Sequence, residues 1–166
     1  YCETHNPPWS WYAGDASATA IFTMAGGARY TYTGSWCSPG MQTSWNGVWR
    51  LSGEKGSAHW DGDHDPELGG DVDPAPHPTT PHAGITAALL AFTDALRTGT
   101  PPMGEVHENV LSLAMVEAAT RSADTGRRVL IDDVLANAHI EALASETHPD
   151  VRDALAGWPP VQPLLT

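Results

Sequence analysis

The densest run of chemistry-bearing side chains is His59-Trp-Asp61-Gly-Asp63-His64-Asp65-Pro-Glu67. Carboxylates and imidazoles spaced this closely can converge on a cation. An EF-hand calcium loop needs glycine after its third Asp and glutamate at its end, whereas Pro66 and Val72 occupy those places. A solvated acidic loop is the plainer reading. His107 and Asn109 stand at the start of an expected helix, where polar groups can face a cleft and hold a ligand, though capping and solvent exposure are the commoner explanation. Seven tryptophans invite sugar stacking, because an indole face matches the apolar face of a pyranose. Trp36 is the tryptophan that joins His107 and Asn109 as a candidate substrate contact, with burial in a core or interface as the alternative. No serine lies in a Gly-x-Ser-x-Gly elbow and no cysteine in a nucleophile signature; Asp and Glu are abundant enough for acid and base pairs, but abundance gives no geometry, so no catalytic residue is assigned. A strand leading into Gly-x-Gly-x-x-Gly is missing as well, so no cofactor-binding residue is assigned.

The elements that must position these residues fall into two halves. Ser17 to Met24 and Ala28 to Trp36 are rich in Thr, Tyr, Ile and Phe and flank Ala25-Gly26-Gly27, which predicts an antiparallel hairpin. Thr43 to Leu51 and Ser57 to Trp60 flank Gly53-Glu54-Lys55-Gly56 and predict a second. Alternation puts Tyr30, Tyr32, Gly34 and Trp36 on one strand face, and Trp45, Gly47, Trp49 and Leu51 on another. Residues 61–81 are Gly-, Pro- and Asp-rich and read as one long loop, a length that in compact domains is usually functional, mobile or packed on a partner, so its role stays open. Helices follow. Thr80 and Pro81 cap the first, in which Ile85, Leu89, Phe92 and Leu96 keep helical spacing until Gly99. The second runs from about Glu105 to Asp124 and stops at Gly126. Arg128 to Ile131 reads as a short strand. Asp132 or Asp133 caps a third helix to about Ser145, and Pro149 to Gly157 gives one or two further turns.

The chain has 166 residues, with 8 Lys plus Arg against 20 Asp plus Glu and a net charge of -12. That length fits a single domain, residues 1–166. Tight nucleic-acid binding needs clustered cations to release counterions, and Lys55 is the sole lysine among scattered arginines. An anionic membrane surface is disfavoured for the same reason, and no apolar run is long enough for a membrane helix. Cys2 and Cys37 have neither metal-ligand spacing nor the density of a disulfide scaffold. Two free thiols in a reducing cytoplasm are the expectation.

Two blocks resemble a known family. Tyr32-Thr-Gly-Ser-Trp-Cys-Ser-Pro-Gly40 followed by Thr43-Ser-Trp-Asn-Gly-Val-Trp-Arg-Leu-Ser-Gly-Glu-Lys-Gly56 is similar to the sheet of the C-terminal domain of Gfo/Idh/MocA oxidoreductases. Ala91-Phe-Thr-Asp-Ala-Leu-Arg-Thr-Gly-Thr-Pro101, then His107-Glu-Asn-Val-Leu-Ser-Leu-Ala-Met-Val-Glu-Ala-Ala119 and Ser122-Ala-Asp-Thr-Gly-Arg-Arg-Val-Leu-Ile131, resembles that family's closing helices and strand. The resemblance covers roughly residues 17–145.

It implies an α+β fold, a large mainly antiparallel sheet with helices packed on one face. It also implies a parent enzyme that uses NAD or NADP, held by an N-terminal Rossmann domain, to oxidise or reduce a sugar, polyol or related hydroxylated compound. The family's catalytic Glu-Lys-Pro motif, and its catalytic Asp and His, would lie upstream of Tyr1. Lys55, in Gly-Glu-Lys-Gly, is not that lysine. On this reading the chain alone is inactive, binds no cofactor, and forms a homo-oligomer through its sheet. A non-enzymatic carbohydrate-binding or scaffold module is the alternative.

Overall fold

The computed structural model describes residues 1–72 and 83–159 and is α+β. The chain forms two compact units, Tyr1–Cys37 with Ala91–Thr166, and Ser38–Leu90. Each contains its own three-stranded antiparallel sheet. This corrects the expectation of one large sheet. The physical reason lies in Ser38 to Val48, where Pro39, Gly40 and the Asn46-Gly47 turn break the run that would have continued the strand.

In the first unit, β1 (Cys2–His5), β2 (Ser17–Thr23) and β3 (Arg29–Ser35) lie in that order. The β2–β3 hairpin closes where expected. The Met24 N–H donates to Ala28 O at 3.0 Å and the Gly27 N–H to Met24 O at 2.9 Å. Strand β1 was not anticipated, because Cys-Glu-Thr-His has no hydrophobic alternation; its pairing with β2 fixes it instead.

Helix α2 (Val106–Thr125) packs against β1 and against α3 (Ile131–Ser145). The shared core is small: Ala114 and Ala118 of α2 meet Val134 and Leu135 of α3, with Val110, Val129 and Ile131 packed around them. Alanines on α2 let the two helices approach closely. Helix α2 ends as expected on Gly126, whose N–H donates to Ser122 O. The expected strand at Arg128 to Ile131 does not form. Val129 and Ile131 turn inward onto the helical core, and α3 starts at Ile131 with Leu130 as its cap residue. Asp132 and Asp133 stand in its first turn rather than capping it, which still suits the positive end of the helix dipole. Arg121 of α2 donates to Glu117 at 2.7 Å and reaches Glu141 of α3 at 4.0 Å. Helix α4 (Pro149–Ala156) is tied to α3 by a 2.8 Å contact between His139 Nε2 and Leu155 O.

In the second unit, β4 (Trp49–Ser52), β5 (Gly56–Trp60) and β6 (Glu67–Gly70) form the other sheet, in that order. Strand β4 is shorter than the expected Thr43 to Leu51. The segment read as a loop over 61–81 contains β6, which two glycines and a single leucine had hidden; its part from residue 73 onward lies outside the described residues. Helix α1 (Gly84–Thr98) runs from the second unit into the first. Its expected cap at Thr80 and Pro81 also lies outside the described residues. Among the described residues no helix is long and apolar enough to cross a membrane.

Candidate functional site

The acidic run lies in the second unit, on the β5–β6 connection. Asp61 folds this loop around itself. Its Oδ1 accepts from the backbone N–H of Asp63 at 3.0 Å and of His64 at 2.9 Å, and its Oδ2 contacts His64 Nδ1 at 2.6 Å. The His64 backbone N–H, then that of Asp63 and the imidazole, hold the Asp61 carboxyl far below its usual range. The same carboxylate raises the pKa of His64. Both Asp61 oxygens are therefore engaged by their own turn.

A second turn, Ser44 to Gly47, is stitched to the first. Ser44 Oγ donates to Asp63 Oδ1 at 2.7 Å, and Asn46 Nδ2 donates to Gly62 O at 2.7 Å. The indole N–H of Trp49 donates to Asn46 O at 2.8 Å, and that of Trp60 to His64 O at 2.7 Å. Trp49 and Trp60 are partners across β4 and β5, so each tryptophan of this pair anchors one of the two turns. Gly62 lies between them at φ +93, a left-handed conformation that favours glycine. A Cβ there would fall 2.5 Å from Gly47 O and 2.7 Å from Ser44 Cβ. Ser44 and Asn46 were not singled out from the sequence. The Asn46-Gly47 and Asp61-Gly62 pairs were the available signal, since both are turn dipeptides at the ends of paired strands.

Across the strands, His59 Nδ1 stands 3.8 Å from Glu67 Oε2, and both side chains are substantially exposed. Among the described residues, no group of three or more His, Cys, Asp or Glu side chains could hold a metal ion. The run thus acts on its own backbone. Its carboxylates are spread over a turn lock and a strand pair instead of meeting at one point.

The sequence candidates His107, Asn109 and Trp36 lie in the first unit. Glu105 caps α2: its Oε1 accepts the Glu108 N–H at 3.2 Å, and its Oε2 contacts His107 Nδ1 at 2.7 Å. The hydrogen bond with His107 lowers the Glu105 pKa, helped by the backbone N–H groups of His107 and Glu108. The backbone N–H of Asn109 donates to Glu105 O at 2.9 Å. His107 and Asn109 share the exposed first turns of α2. Glu105, read from the sequence only as the approximate helix start, organises that end. Trp36 is exposed just past β3, and its backbone N–H donates to Ala16 O at 2.9 Å.

A separate cavity of about 90 Å³ opens in the first unit. Tyr1, Ile21 and Thr23 line it from the sheet side, Ala118 from α2, and Arg128 and Leu130 from the α2–α3 connection. None of the three sequence candidates lines it. Cys2 and Cys37 are buried free thiols. No protein-family model, curated protein or solved structure matches this chain.

Proposed function

We propose that this chain is the substrate-binding and assembly part of a Gfo/Idh/MocA-like oxidoreductase that uses NAD or NADP on a sugar, polyol or related hydroxylated compound. The apolar face of the β4–β5–β6 sheet carries the reading. Register sets Leu51, Ala58 and Leu68 side by side with Trp49 and Trp60, while Arg50, His59 and Glu67 take the opposite face. Leu51, Leu68 and Trp49 are exposed. A contiguous apolar patch on a sheet is characteristic of an interface, and the family resemblance supplies the occupant, a second subunit. Homo-oligomerisation through the sheet is part of the proposal.

The nicotinamide belongs elsewhere in such an enzyme. All described strand pairings are antiparallel, without the parallel strand–helix–strand crevice and glycine-rich first turn that a dinucleotide needs. On this proposal the described residues leave that cofactor to the upstream domain. Their contribution is one wall of the substrate site, with His107, Asn109 and Trp36 as the side chains proposed to meet the substrate. On this reading the chain by itself turns nothing over.

The test uses the whole open reading frame. Turnover of sugars or polyols, followed through the absorbance of reduced nicotinamide, is the expected result. No turnover with either NAD or NADP, or an upstream sequence lacking a strand followed by Gly-x-Gly-x-x-Gly, overturns the reading. Sedimentation at micromolar concentration should show a dimer or larger species, and a clean monomer counts against the assembly role. The exposed tryptophans favour a second reading, a carbohydrate-binding or scaffold module without chemistry, which the same turnover assay separates from the first.

A further inference from the structure

Strands β1 and β2 form an antiparallel pair that a two-residue turn could close, yet residues 6–16 join them. This longer connection is ordered by its own bonds. The Ser10 N–H donates to Pro7 O at 2.9 Å, the Tyr12 N–H to Ser10 Oγ at 3.1 Å, and Asn6 Nδ2 to Tyr12 O at 2.8 Å. Within it Pro7 and Ala16 are buried, as is Cys37 just past β3. The indole N–H of Trp9 donates to Cys37 O at 3.0 Å, so the polar edge of that side chain is spent inside the protein. Trp11 and Tyr12 stack on each other with ring centroids 5.2 Å apart and planes inclined by 29°. Even so, Trp9 remains 62% exposed and Trp11 74%. The loop thus holds its backbone fixed while presenting aromatic faces to solvent.

We infer that this loop is a pyranose-stacking platform, with Trp9, Trp11 and Tyr12 as its rings and a gluco-configured oligosaccharide as its occupant. The negative face of an aromatic ring attracts the polarised C–H face of such a sugar, whose hydroxyls are all equatorial. Asn6, Ser10 and Asp15 belong to the same loop; Asn6 Nδ2 and Ser10 Oγ already bond Tyr12, and Asp15 Oδ2 accepts from Thr4, so the Asn6 Oδ1, the Ser10 hydroxyl proton and Asp15 Oδ1 are the groups proposed to meet those hydroxyls. Bonds made within the loop reduce the ordering cost of binding. The area decides against a second copy of the chain. Three aromatic side chains of roughly 150–250 Å² each fall short of the roughly 800 Å² per partner of a standard interface, but they match one or two sugar rings. Nucleotides, which also stack, are opposed by the net charge of -12.

The platform requires no nicotinamide chemistry, so its failure and the failure of the oxidoreductase reading are separable. The test is a titration of the chain with cellopentaose, read by indole fluorescence and calorimetry. Saturable binding is expected, weakened about tenfold by Trp11→Ala and largely restored by Trp11→Phe. Trp45→Ala, in the other unit, should bind like the parent chain. Absence of a saturable signal overturns the inference, as does binding that survives Trp11→Ala unchanged. A dimer that depends on Trp11 in sedimentation also overturns it.

Discussion

Ser122 Oγ accepts a hydrogen bond from the backbone N–H of Cys2 at 2.9 Å, across 120 residues of sequence. Cys2 lies on a strand that, among the described residues, pairs only with β2 and so forms the sheet edge. The adjacent Tyr1 exchanges backbone bonds with Ile21, so the Cys2 N–H points outward, away from β2. An edge N–H buried beneath a helix must find an acceptor there. Ser122 supplies it and donates its own proton to Arg127 O at 2.6 Å, in the connection that leaves α2. One hydroxyl therefore joins the sheet edge to the end of the helix, at 1% exposure.

Ser122→Ala should destabilise the first unit by about 1–3 kcal/mol, because it leaves a buried donor and a buried acceptor without their partner. Urea denaturation is the measurement, with amide exchange at Cys2 as the local readout. An unchanged midpoint together with unchanged Cys2 protection would show that the bond contributes nothing.

Leu135→Ala should cost about 2–5 kcal/mol, the usual range for truncating a buried leucine. The core around Leu135 consists of few residues, two of them alanines on α2, so little neighbouring side chain can move in to fill the space. Thermal unfolding checks this, with Leu155→Ala as a comparison on the more loosely packed α4. The comparison variant should lose less.

Gly62→Ala should unlock the paired turns of the second unit. The substitution combines a left-handed backbone, worth about 1 kcal/mol or more against alanine, with a Cβ overlapping Gly47 O and Ser44. Faster exchange of the Trp49 and Trp60 indole protons is the expected signature, since each is bonded to one of the two turns. Protection equal to that of the parent chain would mean that the turns are not held together at Gly62.

These three positions show what can be read from the chain and what cannot. The β2–β3 hairpin, the span of α2 and its stop at Gly126 follow from local patterns: alternation, helical spacing and a C-terminal glycine. Strand β1 and the partnership of Ser122 with Cys2 leave no local trace, because they depend on residues far apart in sequence. The Arg128 to Ile131 segment has β-forming side chains, but tertiary packing directed Val129 and Ile131 onto a helical core. The site was legible as composition rather than geometry. The acidic run read more plainly as a solvated loop than as an ion site, yet its first carboxylate closes its own turn and its second accepts from Ser44. His107 was noticed where Glu105, two residues earlier, does the organising. The start of the helix was legible near Glu105, but its bond to the His107 ring depends on side-chain geometry that no sequence pattern carries.

The Asp61–His64 contact sets a pH window for the β5–β6 turn. The raised pKa of His64 means that the stabilisation from its protonated form is fully present below the ordinary histidine value of about 6.5. It is lost as the pH rises through the raised value. The lowered pKa of Asp61 acts oppositely: its contribution is present above the usual carboxylate range and disappears as the pH falls through the lowered value. Between those limits the charged pair is intact. Asp61→Asn separates the two effects, because the amide oxygen can still accept from the backbone N–H groups of Asp63 and His64 while the charge beside the imidazole is gone. Titration followed by NMR should place His64 above the ordinary value in the parent chain and nearer to it in the variant, with Asp63 and Asp65 left as weaker influences. If His64 titrates identically in both proteins, Asp61 is not what holds its proton.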